Sequence, residues 1–203
     1  MAILETGFIH EKAGVFMYKH CKTEQSSARQ RELELGLLEV MMQQRYEDIT
    51  ISELCEKLQI PRKAFYRYFS GKDGALFALL DHTMLDFSLT DSLHGSISTL
   101  LDLERFFAFW YSQKPLLDAL AKSNLSGILV ERATALALRE RMMPRSFLPL
   151  QAETQTIALS FAVCGIMSMV IQWHHTGFLQ TPQEMTQLSK MLLTKPLLSV
   201  QGC

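Results

Sequence analysis

Apolar residues recur every three or four positions over long stretches of this chain, and short polar or Pro- and Gly-bearing breaks separate the stretches, the pattern of successive amphipathic helices. Leu33, Leu37, Val40 and Met41 mark a first helix over about 26–44, with Ser26 or Ser27 as its N-cap. Thr50 with Glu53 three residues on makes a capping box for a short second helix to about Leu58, onto which Ile49 can staple through Leu54. Pro61 breaks the chain, because it has no amide for a continuing helix, and then opens a third helix that carries Phe65 and Phe69 one turn apart on an inward face. Ser70 with Asp73 repeats the capping pattern ahead of a long fourth helix through Leu76, Leu80, Met84 and Phe87, fading around 90–95. Helices are expected further over 97–113, 116–122, 128–142 and 151–175, the last stopped by Gly177. The box Thr181-Pro182-Gln183-Glu184, with Pro at the first helical position, starts a final helix toward Leu193.

Composition agrees with the periodicity: Gly and Pro number only 10 and 6, which favours helices over a sheet sandwich. The predicted fold is all-α, with an N-terminal three-helix helix-turn-helix head joined by a long helix to a C-terminal helical body. The boundaries fall at an N-terminal extension 1–24, a helix-turn-helix head 25–72 and a body 73–203. The extension has Gly7 and Gly14 bracketing a turn and admits three readings. It is an arm whose Lys12, Lys19 and Lys22 touch DNA phosphates, a hairpin docked on the body, or a stretch upstream of a start at Met17; a disordered tail is the default.

With 20 basic against 21 acidic residues the chain has no bulk attraction for nucleic acid, so any such affinity must be local. Between Lys57 and Lys72 every charge is positive (Lys57, Arg62, Lys63, Arg67, Lys72), interleaved with Phe65, Tyr66, Tyr68 and Phe69. In a helix-turn-helix the second helix enters the major groove and its N-terminal residues meet base edges. Arg62 and Lys63 hold that end, with Ala64 beside them, and Arg or Lys can pair with the acceptors of guanine. Tyr66, Arg67 and Lys72 suit phosphate oxygens, and Thr50 caps a helix whose start can face the DNA backbone.

The stretch from about Arg29 to Leu80 resembles the DNA-binding domain of the TetR/AcrR family of bacterial transcriptional regulators. Tyr46, Asp48 and Thr50 match the family's Tyr-x-x-Thr entry with one extra residue, and Phe65, Tyr66, Phe69, Lys72, Asp73 and Leu76 fill its closing pattern. Pro61 stands where the family commonly has a Ser or Thr cap, and Lys63 and Ala64 replace a frequent Gly-Thr pair, so base preference is not carried over. The resemblance implies that Arg62, Lys63, Tyr66, Arg67 and Lys72 approach double-stranded operator DNA, that the body binds a small-molecule effector, and that the last two helices form a homodimer interface.

The body shows no chemistry that a reaction needs: there is no GxSxG, P-loop or GxGxxG motif, and no cofactor is expected. His174 and His175 are adjacent, about 100° apart on a helix, and read as a solvated helix end rather than a zinc site. Met and aromatic residues abound, mostly as core. Met84, Phe87, Phe107, Trp110, Phe161 and Met169 are candidates for an effector pocket, which rests mainly on the resemblance. Ala158, Ala162 and Gly165 can admit a partner helix, with Trp173 at the same dimer interface, while burial within one subunit is the alternative. The segment Thr154 to Trp173 has no formal charge and the length of a membrane span, but Gln155, Thr156, Ser160, Ser168 and Gln172 interrupt it and no Lys or Arg cluster flanks it, so no membrane is expected.

Cys21, Cys55, Cys164 and Cys203 form no CxxC pair and no secretory signal is visible, which points to the cytoplasm. The reading is a homodimeric repressor released from a palindromic operator by an apolar or amphipathic effector. The alternative is a small-molecule-binding or scaffold protein whose helix-turn-helix makes protein contacts.

Overall fold

The computed structural model describes residues 17–89, 100–142, 144 and 148–194, and they fold as helices and connections. The arm with Lys12, the expected fading of the fourth helix at 90–95 and Cys203 lie outside the described residues. The chain divides into two compact units, one up to Thr83 and the other from Met84.

In the first unit α1 spans Glu24–Gln43, α2 Ile51–Lys57 and α3 Arg62–Phe65, while α4, Lys72–Leu89, runs on past the unit's limit. The expected all-α head is therefore present, with its caps partly reassigned. The N-cap of α1 is Thr23, whose hydroxyl accepts the Ser26 amide at 3.3 Å, so the helix starts one turn's width earlier than Ser26 or Ser27 would place it. The Thr50 box forms as expected, with the Glu53 amide on Thr50 Oγ1 at 3.2 Å and the Thr50 amide on Glu53 Oε2 at 3.0 Å. The Thr50 hydroxyl, which donates to Glu53 Oε2 at 2.8 Å, and then the Thr50 amide hold the Glu53 carboxyl below its ordinary pKa. Ile49 and Leu54, the staple, are both buried. Ser70 does not cap α4: its hydroxyl donates to the Met17 carbonyl at 2.9 Å, and the residue before the helix is Gly71. Leu33, Leu37, Leu54, Phe65, Phe69 and Leu76 fill the core. Each of the two phenylalanines contributes about 1.5–3 kcal/mol by leaving water.

In the second unit α5 spans Leu100–Ser112, α6 Lys114–Lys122, α7 Ser126–Arg139, α8 Ala152–His175 and α9 Pro182–Thr194. Helix α7 packs along α8 and α5 along α9, with α6 against α7 and α8. The Thr181 box forms, its amide on Glu184 Oε2 at 2.7 Å and the Glu184 amide on Thr181 Oγ1 at 3.2 Å.

Among the described residues four helices end in the same way. After α2, α6, α7 and α8 the chain turns through a left-handed residue (Gln59, Asn124, Arg141, Gly177). In each case the next amide reaches back to the carbonyl five residues before it, as from Ile60 to Cys55 at 2.9 Å and from Phe178 to Trp173 at 2.9 Å. Gly177 and Asn124 suit this geometry. Gln59, with φ of 53°, does not, because its Cβ crowds the following carbonyl. Gln59 also makes the turn between α2 and α3. Gln59→Gly is therefore expected to raise stability by about 0.5–1 kcal/mol, the relieved strain exceeding the added freedom of the unfolded chain. A denaturant midpoint that stays put or falls would contradict this.

Candidate nucleic-acid interface

Helix α3 is shorter than its sequence pattern, because Tyr66, Arg67 and Tyr68 leave it in a turn in which the Tyr68 amide bonds to the Phe65 carbonyl at 3.0 Å. Pro61 occupies the N-cap position with φ of −64° and ψ of 141°, so its missing amide costs no helical bond. Its carbonyl accepts the Ala64 amide at 2.8 Å. Pro61 thus starts the helix without the side-chain bond that a Ser or Thr would supply.

Phe65 and Phe69 face inward with ring centroids 5.1 Å apart, and Tyr68 is buried beside Phe69. What is left outside is the expected set: Arg62, Lys63, Tyr66 and Arg67 are exposed, Ala64 is half-buried at the edge, and Thr50 is exposed at the start of α2. Between Arg62 and Phe69 the exposed residues are three cations and one phenol, which suit a polyanion's phosphates and groove edges. Lys57, at the end of α2, is hydrogen-bonded to Gln43 of α1.

Lys72, expected at a phosphate, has partners for its ammonium within the unit. Its ammonium donates to the carbonyls of Tyr46 and Ile49, each at 2.6 Å, and lies 3.4 Å from that of Glu47. It also sits 4.4 Å from the centroid of the Tyr46 ring. Its three hydrogens are thereby used within the unit. The Tyr46 phenol donates to Asp73 Oδ1 at 2.5 Å, and burial first, then this carboxylate, pushes the phenol's pKa far up. The cluster fastens the 3-10 turn Tyr46–Asp48 to the start of α4 and so fixes the entry to α2.

Residues 17–20 also belong to the unit. Tyr18 pairs in antiparallel fashion with Phe69, and its phenol donates to buried Asp81 at 2.6 Å. The sequence offered Lys19 and Lys22 as part of an arm; both are exposed, and Lys19 is fixed by its backbone amide to the Tyr68 carbonyl at 2.8 Å. A lone tyrosine in a short apolar run carries no signal that reveals such a pairing.

In the second unit three of the expected pocket residues, Phe87, Phe107 and Trp110, have ring centroids 5.4–6.3 Å from that of Phe106. Phe87 lies 5.6 Å from Phe106 and 5.4 Å from Phe109, and Trp110 packs on both of these rings. Phe107 is fully buried, edge-on both to Phe106 at 5.4 Å and to Trp173 at 5.7 Å. Met84 is buried, Met169 receives the Ser189 hydroxyl at 3.6 Å, and Phe161 stands 71% exposed on α8. Trp173, expected at a dimer interface, is buried within the subunit, where its indole donates to the Gln180 carbonyl at 2.9 Å and Phe178 packs edge-on at 4.7 Å. Ala158 and Ala162 are half-buried, whereas Gly165 is exposed and a Cβ added there meets nothing within 4 Å.

His174 is paired with Asp118 at 2.7 Å, and among the described residues no group of three His, Cys, Asp or Glu side chains is placed to hold a metal. Burial works to raise the pKa of Asp118, but hydrogen bonds from Lys114 and His174 outweigh it and hold the carboxyl below its ordinary value. Among the described residues α8 alone is long and apolar enough to cross a membrane.

Residues 36–79 match the sequence profile of the family described as bacterial regulatory proteins, tetR family. No curated protein matches the chain. Among solved structures it is similar to that of the TetR family repressor AlkX from Dietzia sp. strain DQ12-45-1b, implicated in biodegradation of n-alkanes, at 18% identity and a TM-score of 0.49. That match covers 79% of this chain and 90% of the other.

Proposed function

We propose that this chain, whose residues 36–79 match the tetR-family profile, is a helix-turn-helix regulator that works as a homodimer whose two heads grip a palindromic operator and release it when a small apolar or amphipathic molecule binds the second unit. The observation that carries the DNA-reading part is the exposed set Arg62, Lys63, Tyr66 and Arg67 set against inward Phe65 and Phe69. Two such heads address successive major grooves about 34 Å apart. The dimer is supported by the apolar residues that α8 and α9 leave in water, Ile157, Phe161, Leu188, Met191 and Leu192 among them. An effector in the second unit acts by preferring one head spacing over the other, since a ligand with equal affinity for both shifts nothing. The aromatic and Met-rich composition of that unit favours an apolar ligand.

Selection of bound duplexes from a random pool tests the reading. Enrichment of an inverted repeat is expected, lost on adding the right effector, and a pool that stays random through all rounds would end the proposal. Arg62→Ala is expected to relax one base position symmetrically in both half-sites, by about 1–3 kcal/mol of discrimination. If that substitution weakened every sequence alike, Arg62 would be a phosphate contact instead.

A further inference from the structure

Residues 17–21 lie on the first unit as a strap, and the details of that docking give Lys19 a fixed position. The Lys19 amide donates to the Tyr68 carbonyl at 2.8 Å and the Ser70 amide to the Met17 carbonyl at 2.9 Å. These two bonds flank the pair Tyr18 and Phe69, which is thus of the closely spaced kind with both side chains on one face. Both are buried, so the face is the inner one, and alternation along an extended chain turns Lys19 outward. The Tyr18 phenol on Asp81 anchors the strap from below. Helix α4 makes room for it at one residue: a Cβ added to Gly74 would lie 2.1 Å from the Met17 carbonyl oxygen. The strap therefore crosses α4 where only glycine fits, and it delivers an exposed lysine to the residue that follows Arg67.

We propose that the strap is a built part of the DNA interface and that Lys19 contacts a backbone phosphate of the duplex next to the one met by Arg67. The proposal rests on the DNA-binding reading above. A lysine on a strap carries no planar fork for a base edge, but a compact ammonium at the end of a mobile stem suits a phosphate oxygen. Holding its backbone in place before DNA arrives lowers the ordering cost of the contact.

The test is equilibrium binding of the full-length protein to its selected operator between about 50 and 200 mM salt. Lys19→Gln should lower the slope of log affinity against log salt by about one, and affinity roughly five- to tenfold near 0.1 M salt. Gly74→Ala keeps every charge but displaces the strap, and it should lower the slope by the same amount, with no further loss when Lys19→Gln is added. Circular dichroism melting checks that both variants are folded; Lys19 is exposed, so its replacement keeps the test open even if Gly74→Ala unfolds. A wild-type slope in Lys19→Gln overturns this inference while leaving DNA binding intact. A reduced slope in Lys19→Gln beside a normal one in folded Gly74→Ala overturns the role of the strap. Wild-type protein that prefers no DNA overturns both readings together.

Discussion

Phe161→Asp is expected to leave the protein folded but monomeric, and to cost it most of its affinity for a palindromic site. On α8 the residues Ile157, Phe161, Gly165, Ser168 and Gln172 recur at helical spacing and all are exposed, while Leu159, Met167, Val170 and Trp173 are buried on the other side. Ile157 and Phe161, at 70% and 71% exposure, are larger and more exposed than a solvated helix face needs to be. Gly165, with nothing within 4 Å of a built Cβ, lets a second backbone come close on the same face. A two-fold interface uses each residue twice, so a loss of about 2 kcal/mol at each Phe161 is about 4 kcal/mol for the pair, or roughly a thousandfold in the dimer dissociation constant. The operator loses the second head's effective concentration as well, on the order of 10²–10⁴ in affinity. Sedimentation at about ten micromolar should find a monomer, with its helical signal and melting retained because Phe161 lies outside the subunit's core. A variant that sediments like the wild type would place the proposed dimer interface elsewhere.

How much of this was legible in the sequence depends on whether a feature is local. The boxes at Thr50–Glu53 and Thr181–Glu184 use residues three apart, and both form as read. The stop at Gly177 is equally local, as are the inward spacing of Phe65 and Phe69 and the outward set that remains. Local rules fail where a distant partner competes for the same group. Ser70 has the right neighbour in Asp73 to cap α4, but the Met17 carbonyl takes its hydroxyl and Tyr46 takes Asp73. Lys72 looks like a free cation in a basic run because the carbonyls that hold it lie more than twenty residues back. Trp173 fits either face of an apolar helix, and the loop carbonyl of Gln180 decides for the inside. The local caps and the inward and outward faces of the head could therefore be read, whereas the long-range contacts of Tyr18, Ser70 and Lys72 that fasten its elements together could not.

Lys72→Met is the substitution that separates those two kinds of part. The lysine occupies the first position of α4, where the helix dipole disfavours a cation by about 0.3–1 kcal/mol. Its place there is made tolerable by the carbonyls of Tyr46 and Ile49 at 2.6 Å, the Tyr46 ring, and Asp73 next in sequence. A charge-assisted hydrogen bond is worth about 1.5–3 kcal/mol, and the bonds of one half-buried ammonium do not add fully, so the expected loss is about 2–3 kcal/mol. For a unit of this size each kcal/mol shifts the midpoint by about 4–8 °C, which makes the fall in melting temperature on the order of 10 °C or more. Lys72→Arg should fall between, because a planar fork cannot converge on the same carbonyls as a compact ammonium. Measured at a temperature where the variant is still folded, the salt slope of DNA binding should match the wild type, since the ammonium's donors are directed into the unit rather than toward a phosphate. The opposite pattern, an unchanged melting curve with a slope lower by about one, would return Lys72 to the list of phosphate contacts and remove the clamp from the account of how α2 is positioned.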